Sequence, residues 1–148
     1  MKDWTGNKKT LGALLGASNH TSEERQREDY YATDPAMVRD LLNAGAPMGD
    51  VDIMTNPPYA TAREFVERAL QVVKPGANVW MLLKLSFLEG QSRKRLFNDT
   101  PPADVWVFSE RRICAKNGDF SRYKAGAMAY AWFHWVKSRN TVCTIKWL

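Results

Sequence analysis

The chain has 148 residues, 25% of them charged and 45% hydrophobic, with a formal net charge of +5. That balance fits one globular domain with a single hydrophobic core and excludes a fibrous or disordered chain. No apolar run reaches the ~18 residues of a membrane span, and residues 1–10 are polar and basic rather than signal-like. The expected location is cytoplasmic, and the positive surplus favours a polyanionic partner. Cys114 and Cys143 stand in no CxxC pattern, with only His20 and His134 as distant imidazoles. A structural zinc site needs about four such ligands, so two reduced thiols and no metal are expected.

In chain order, residues 1–29 read as a polar arm and residues 30–148 as a single α/β domain. Thr33 or Asp34 is placed to cap a helix with Pro35 at its first position. Met37, Val38, Leu41 and Leu42 then recur at helical spacing until Gly45 and Pro47. Residues 51–54 read as a short strand stopped by Pro57-Pro58. Residues 61–73 form an amphipathic helix with Phe65, Val66, Ala69, Leu70 and Val73 on one face. The unbroken run Val79-Trp80-Met81-Leu82-Leu83 fits a strand buried on both faces of a parallel sheet. A short basic helix is expected at 91–97, a strand at 103–108, a polar basic loop at 109–124, a strand at 127–135 and a further strand at 141–147. Trp80, Trp106, Trp132 and Trp135 lie in apolar strands and are assigned to the core. His134 alternates with Phe133 and Trp135, is expected to face outward, and receives no catalytic role. Alternation of strands and helices is the α/β signature of a parallel sheet with crossover helices.

The tetrapeptide Asn56-Pro57-Pro58-Tyr59 stands between the 51–54 strand and the 61–73 helix. That is the carboxyl end of a strand, where α/β folds place ligands. An adenine amino group is a poor nucleophile because its lone pair is delocalised into the ring. Two acceptors, the Asn56 side-chain oxygen and the Pro57 carbonyl, would draw the nitrogen towards tetrahedral geometry. Two prolines stiffen the turn before the base arrives, and Tyr59 offers a ring for an extruded base. The expectation is that these acceptors face an open cleft. The bland alternative is a Pro-Pro strand stop with a half-buried tyrosine.

Several separated segments extend the pattern, namely Asp29-Tyr30-Tyr31-Ala32-Thr33-Asp34-Pro35, Thr55 to Tyr59, Leu83-Lys84-Leu85-Ser86-Phe87-Leu88-Glu89-Gly90, Ala115-Lys116-Asn117-Gly118-Asp119-Phe120, and Ala129-Tyr130-Ala131-Trp132-Phe133. From about residue 19 onward the chain resembles phage and bacterial DNA N6-adenine methyltransferases. The resemblance implies a Rossmann-like sheet, target-base binding at Asn56, Pro57, Pro58 and Tyr59, and S-adenosylmethionine contacts at Thr33, Asp34 and Pro35. One part of the family pattern is missing. Members carry a glycine-bearing loop after their first strand, followed by further strands that hold the donor. Between the Pro35 helix and the 51–54 strand lies only Asn43-Ala44-Gly45-Ala46-Pro47-Met48-Gly49-Asp50, too short for a βαβ unit of ~30 residues. Gly12 and Gly16, the other close glycine pair, follow no buried strand.

The expected fold is therefore a truncated Rossmann-like methyltransferase sheet, mostly parallel, with an antiparallel strand near the C-terminus. Its 51–54 strand loses a neighbour, and an uncovered edge invites pairing, so a homodimer or another edge-covering association is expected. Basic residues gather at Arg93, Lys94 and Arg95 on or near the short helix and in the loop carrying Arg111, Arg112, Lys116, Arg122 and Lys124, beside Phe120 and Tyr123, while Lys84 ends a buried strand near the expected site as a phosphate partner or a strand-end charge. Such loops suit phosphate contacts and base stacking, and a solvated charged loop is the alternative. Three readings stay open: methyl transfer to a flipped adenine in DNA, a catalytically inactive nucleic-acid-binding remnant of that family, or a stable fold remnant with neither activity nor partner.

Overall fold

A computed structural model describes residues 31–33, 35–47, 49, 52–116, 126, 128–139 and 142–148. The expected N-terminal arm, Asp34, Arg122 and Lys124 lie outside the described residues. Seven strands and three α-helices are present among the described residues: β1 (Tyr31–Thr33), α1 (Pro35–Asn43), β2 (Ile53–Thr55), α2 (Ala62–Val72), β3 (Asn78–Lys84), α3 (Lys94–Asp99), β4 (Asp104–Val107), β5 (Cys114–Lys116), β6 (Tyr130–Val136) and β7 (Thr144–Trp147).

The main sheet has the order β2-β3-β6-β4-β7. β2 and β3 are parallel, as are β4 and β7, while β6 runs antiparallel to both β3 and β4. Four strands thus share a direction and the opposed one is β6. This is the expected truncated, mostly parallel Rossmann-like sheet with an antiparallel strand near the C-terminus. Central position explains the composition of β3 and β6. Val79 through Leu83 and Tyr130 through Trp135 are all buried, because each strand has a neighbour on either side and a helical layer on either face.

Alternation along β3 assigns the two faces. Val79, Met81 and Leu83 join Val66 and Ala69 of α2, Leu96 of α3, and Phe133 and Trp135. Trp80 and Leu82 join Met37 and Leu41 of α1, with Trp106 and Trp132. The four strand tryptophans are core residues, as expected. Buried indoles need acceptors, and three find backbone carbonyls: Trp80 donates to Pro47 (3.2 Å), Trp132 to Met37 (3.2 Å) and Trp135 to Thr100 (3.0 Å).

Three expectations are corrected. The buried arc of α2 runs through Ala62, Val66 and Ala69, so Phe65 is left 44% exposed at the rim. Residues 114–116, expected in a loop, form β5, which pairs antiparallel with β1 and places Thr33 opposite Cys114. His134 faces inward and is 3% exposed, because its ring nitrogens have polar partners inside the fold. Among the described residues β2 has β3 as its sole sheet partner, leaving one side as an edge. No helix of the described residues is long and apolar enough to cross a membrane.

Candidate functional site

The parallel pair β2 and β3 ends on one side of the sheet, and the chemistry-bearing residues gather there. Asn56 follows β2 directly. Pro57 is buried and Pro58 half-buried, and Tyr59 opens a 3-10 turn (Tyr59–Thr61) leading into α2. Prolines cannot extend the ladder, so the strand stops and the chain turns across the sheet end. Thr61 N–H then donates to the Pro58 carbonyl at 3.1 Å, closing the turn.

Asn56 Nδ2–H donates to Thr33 Oγ1 at 2.9 Å. Two segments 23 residues apart in sequence thus meet through their side chains. The β1–β5 pairing is what brings Thr33 there. Asn56 Oδ1 is buried from solvent. The Tyr59 hydroxyl donates to Cys114 Sγ at 3.6 Å, and its ring lies 5.9 Å from Tyr130. Burial pushes the Tyr59 phenol far above its ordinary pKa, with Cys114 and Tyr130 adding to the rise. The hydroxyl therefore stays protonated at neutral pH and is not a base.

A cleft of about 240 Å³ opens at the carboxyl ends of β2 and β3, lined by Tyr59, Leu83, Lys84, Ser86, Phe87 and Arg93 among others. Asn56 and the two prolines lie outside its lining, so the cleft is set beside Tyr59 rather than over the prolines. Lys84, the last residue of β3, places its ammonium 4.8 Å from the Tyr59 ring centroid. Arg93 shapes the opposite wall. Its Nε–H donates to the Phe87 carbonyl at 2.8 Å, its Nη2 donates to the carbonyls of Ser86 and Glu89, and its guanidinium lies over the Phe87 ring. Sequence reasoning left Arg93 as one charge of a short basic helix and missed its place in the cleft. The signal was Gly90 at φ +114, three residues upstream, which lets the loop fold back onto that guanidinium.

The expected nucleic-acid contacts separate. Lys84 lines the cleft. Arg111 is exposed. Arg112 is bound to Asp40 of α1 at 2.6 Å and covers the Phe108 ring, so its charge ties the 109–116 segment to the helix. Lys116 lies in β5. Gly126 packs so closely against the Arg112 carbonyl that a Cβ there would collide with it, which fixes the path of this segment.

The expected methyl-donor contacts are Thr33, Asp34 and Pro35, of which only Thr33 has a described side chain. Gly45, at φ +79, closes α1, and Gly49 lies in the short connection to β2. No described glycine loop follows a strand in the manner that cradles a nucleotide.

No family model matches the chain and no curated protein matches it. Among solved structures, the crystal structure of the M1.HpyAVI-SAM complex is similar over 79% of this chain and 65% of that one, with 13% identity and a TM-score of 0.29. The chain thus spans less than two thirds of that protein's length. A likeness so remote carries neither substrate nor chemistry over to this chain.

Proposed function

We propose that this chain is a DNA adenine-N6 methyltransferase-like protein whose described residues supply the target-base side of the reaction. One observation carries the reading: the Asn56-Pro57-Pro58-Tyr59 turn ends a parallel strand, beside a cationic cleft, with Asn56 bonded to Thr33. Transfer requires the methyl donor and the base amine to be neighbours, and these are the two positions that the family resemblance implies for them.

Each residue has a distinct part. Asn56 Oδ1 and the Pro57 carbonyl would accept the two amine hydrogens and so localise the nitrogen lone pair. Thr33, by taking the Nδ2–H, would hold the amide with Oδ1 as its accepting end. Pro57 and Pro58 keep the turn rigid. Tyr59 would offer its ring to the extruded base, and Lys84 would hold its phosphate. Because Oδ1 is buried, the turn must shift towards the cleft to receive an amine. S-adenosylmethionine, when bound, would supply the electrophilic methyl group.

A second reading, a catalytically inactive DNA-binding remnant, is favoured by the burial of Asn56 Oδ1 and the short 44–52 connection. Binding of labelled S-adenosylmethionine to the full chain separates the two. Saturable binding, with methylation of adenine-containing DNA lost in Asn56→Ala, supports transfer. Absence of donor binding together with salt-sensitive DNA binding supports the remnant. The side of β2 that has no sheet partner among the described residues is proposed to pair with a second copy, and a solution mass equal to one chain would refute that pairing.

A further inference from the structure

β7 carries an exposed aromatic ring that neither the core nor the proposed site uses. Trp147 is 71% exposed, and Ile145, two residues earlier on the same side of the strand, is 51% exposed. Four strands of the sheet share a direction, so their last residues, Thr55, Lys84, Val107 and Trp147, lie at one end of it. That end also bears the Asn56 turn and the cleft.

Register decides which face the ring takes. Leu83 of β3 is paired with Ala131 of β6, Ala131 with Val107 of β4, and Val107 with Trp147 of β7. Residues paired across a sheet project from the same face. Trp147 therefore stands in one row with Leu83, which lines the cleft and belongs to the core beneath α2 and α3. Three strand spacings of ~4.8 Å put the two backbones roughly 14 Å apart. Stacked bases repeat every ~3.4 Å along a strand, so a few nucleotides bridge that distance.

The ring is held in place by its neighbours. Lys146 lies over the Trp106 ring on the other face, its ammonium 4.3 Å from the centroid. Leu148 packs on the same cluster as Trp106. Its N–H donates to the Val107 carbonyl at 2.8 Å, and its carbonyl accepts from the Ser109 N–H at 3.0 Å. Both neighbours of Trp147 are thus fastened to the far face, and alternation turns the indole outward. An indole fixed in this way loses little freedom when something stacks on it. Charge identifies the occupant. Lys84 ends β3, Arg93 and Lys94 lead into α3, and the exposed Arg111 lies just beyond β4. Among the described residues of these segments they outnumber the acids Glu89 and Glu110. A flat exposed ring beside a cationic rim matches a polyanion that carries flat bases.

We propose that Trp147 is a second nucleobase site, a stacking platform for an unpaired base of the DNA strand whose target nucleotide enters the cleft, a role that rests on the target-base reading above. The phosphates of that strand follow Lys84, Arg93 and Lys94 along the rim, and a base a few nucleotides from the target lies on the exposed indole. Stacking tolerates any base, so the platform sets the path of the strand without selecting its sequence. The segment must be single-stranded or opened, because a base inside a duplex has no free face.

The test uses the full chain and a single-stranded, adenine-containing oligonucleotide of about 12 nucleotides. Its addition should quench the emission of the exposed indole in the wild type. Trp147→Phe should lose that quenching and largely keep the affinity. Trp147→Thr removes the ring but keeps a β-favouring side chain. It should weaken binding by about 5- to 100-fold, with no change in the slope of log affinity against log salt. An unchanged affinity in Trp147→Thr, where Lys84→Gln still weakens binding, overturns the platform and leaves the target-base reading standing. A wild type that binds no oligonucleotide overturns both. A solution mass that falls to one chain only on loss of the Trp147 ring would place a second copy on this face and overturn the platform. Emission that stays unquenched when the wild type is saturated overturns it as well, whatever the folding of the variants.

Discussion

Replacing Thr33 by valine removes one hydroxyl from the contact that joins the two halves of the candidate site. Valine keeps the branched shape that suits β1, so the antiparallel pairing with β5 should persist. What is lost is the acceptor for Asn56 Nδ2–H, a part-buried bond of 2.9 Å. A neutral bond of this kind contributes about 0.5–1.5 kcal/mol net, and stranding its donor costs about 1–3 kcal/mol. Thr33→Val should therefore destabilise the chain by about 1–2 kcal/mol, whereas Thr33→Ser, which keeps the oxygen, should cost much less. Combining Thr33→Val with Asn56→Ala isolates the pair. Residues in direct contact couple by about 0.5–3 kcal/mol, and a coupling of about 1 kcal/mol is expected here. The assay is urea unfolding of the four species of the cycle, with donor and DNA binding measured on the same preparations. Effects that add to within about 0.3 kcal/mol would show that Thr33 does not hold the Asn56 amide. The proposed role of Thr33 in orienting Oδ1 would fall with it.

Other perturbations test separate parts of the reasoning. Leu83 is fully buried in β3 and lines the cleft, so Leu83→Ala should cost about 2–5 kcal/mol by denaturant titration. A cost below about 1 kcal/mol would show that the β3 end is not packed as described. Lys84→Gln should weaken DNA binding and reduce the slope of log affinity against log salt by about one. An unchanged slope would remove Lys84 from the phosphate contacts. Gly76 turns the chain between α2 and β3 at φ +84, and a Cβ added there would meet no atom within 4 Å. Gly76→Ala should therefore cost about 1 kcal/mol from backbone conformation alone, measured by thermal unfolding, and a neutral result would refute that assignment.

Much of the fold was written locally. The apolar run at 79–83 marked a strand buried on both faces, the spacing of 61–73 marked a helix, and Pro57-Pro58 marked where β2 stops. These signals depend on neighbouring residues, through backbone periodicity and through proline's missing donor. The site turn was legible for the same reason, since Asn56 to Tyr59 are consecutive. Its surroundings were not. Thr33 reaches Asn56 because β1 pairs with β5, a strand from the far half of the chain. Arg112, one of several similar cations in the sequence, was committed to Asp40 by the packing of 109–116 on α1.

The same division holds for the far end of the sheet. Alternation correctly set His134 opposite in face to Phe133 and Trp135, but it could not tell which face met solvent. A helical layer on both sides of the sheet buried it. Once buried, its two nitrogens required partners, and Asp104 and Asn78 supply them across strands. Sequence by itself determined which segments are strands and helices and where the chain turns. Tertiary structure decided which distant side chains meet, because burial and hydrogen-bond satisfaction are properties of the assembled sheet and not of any one strand.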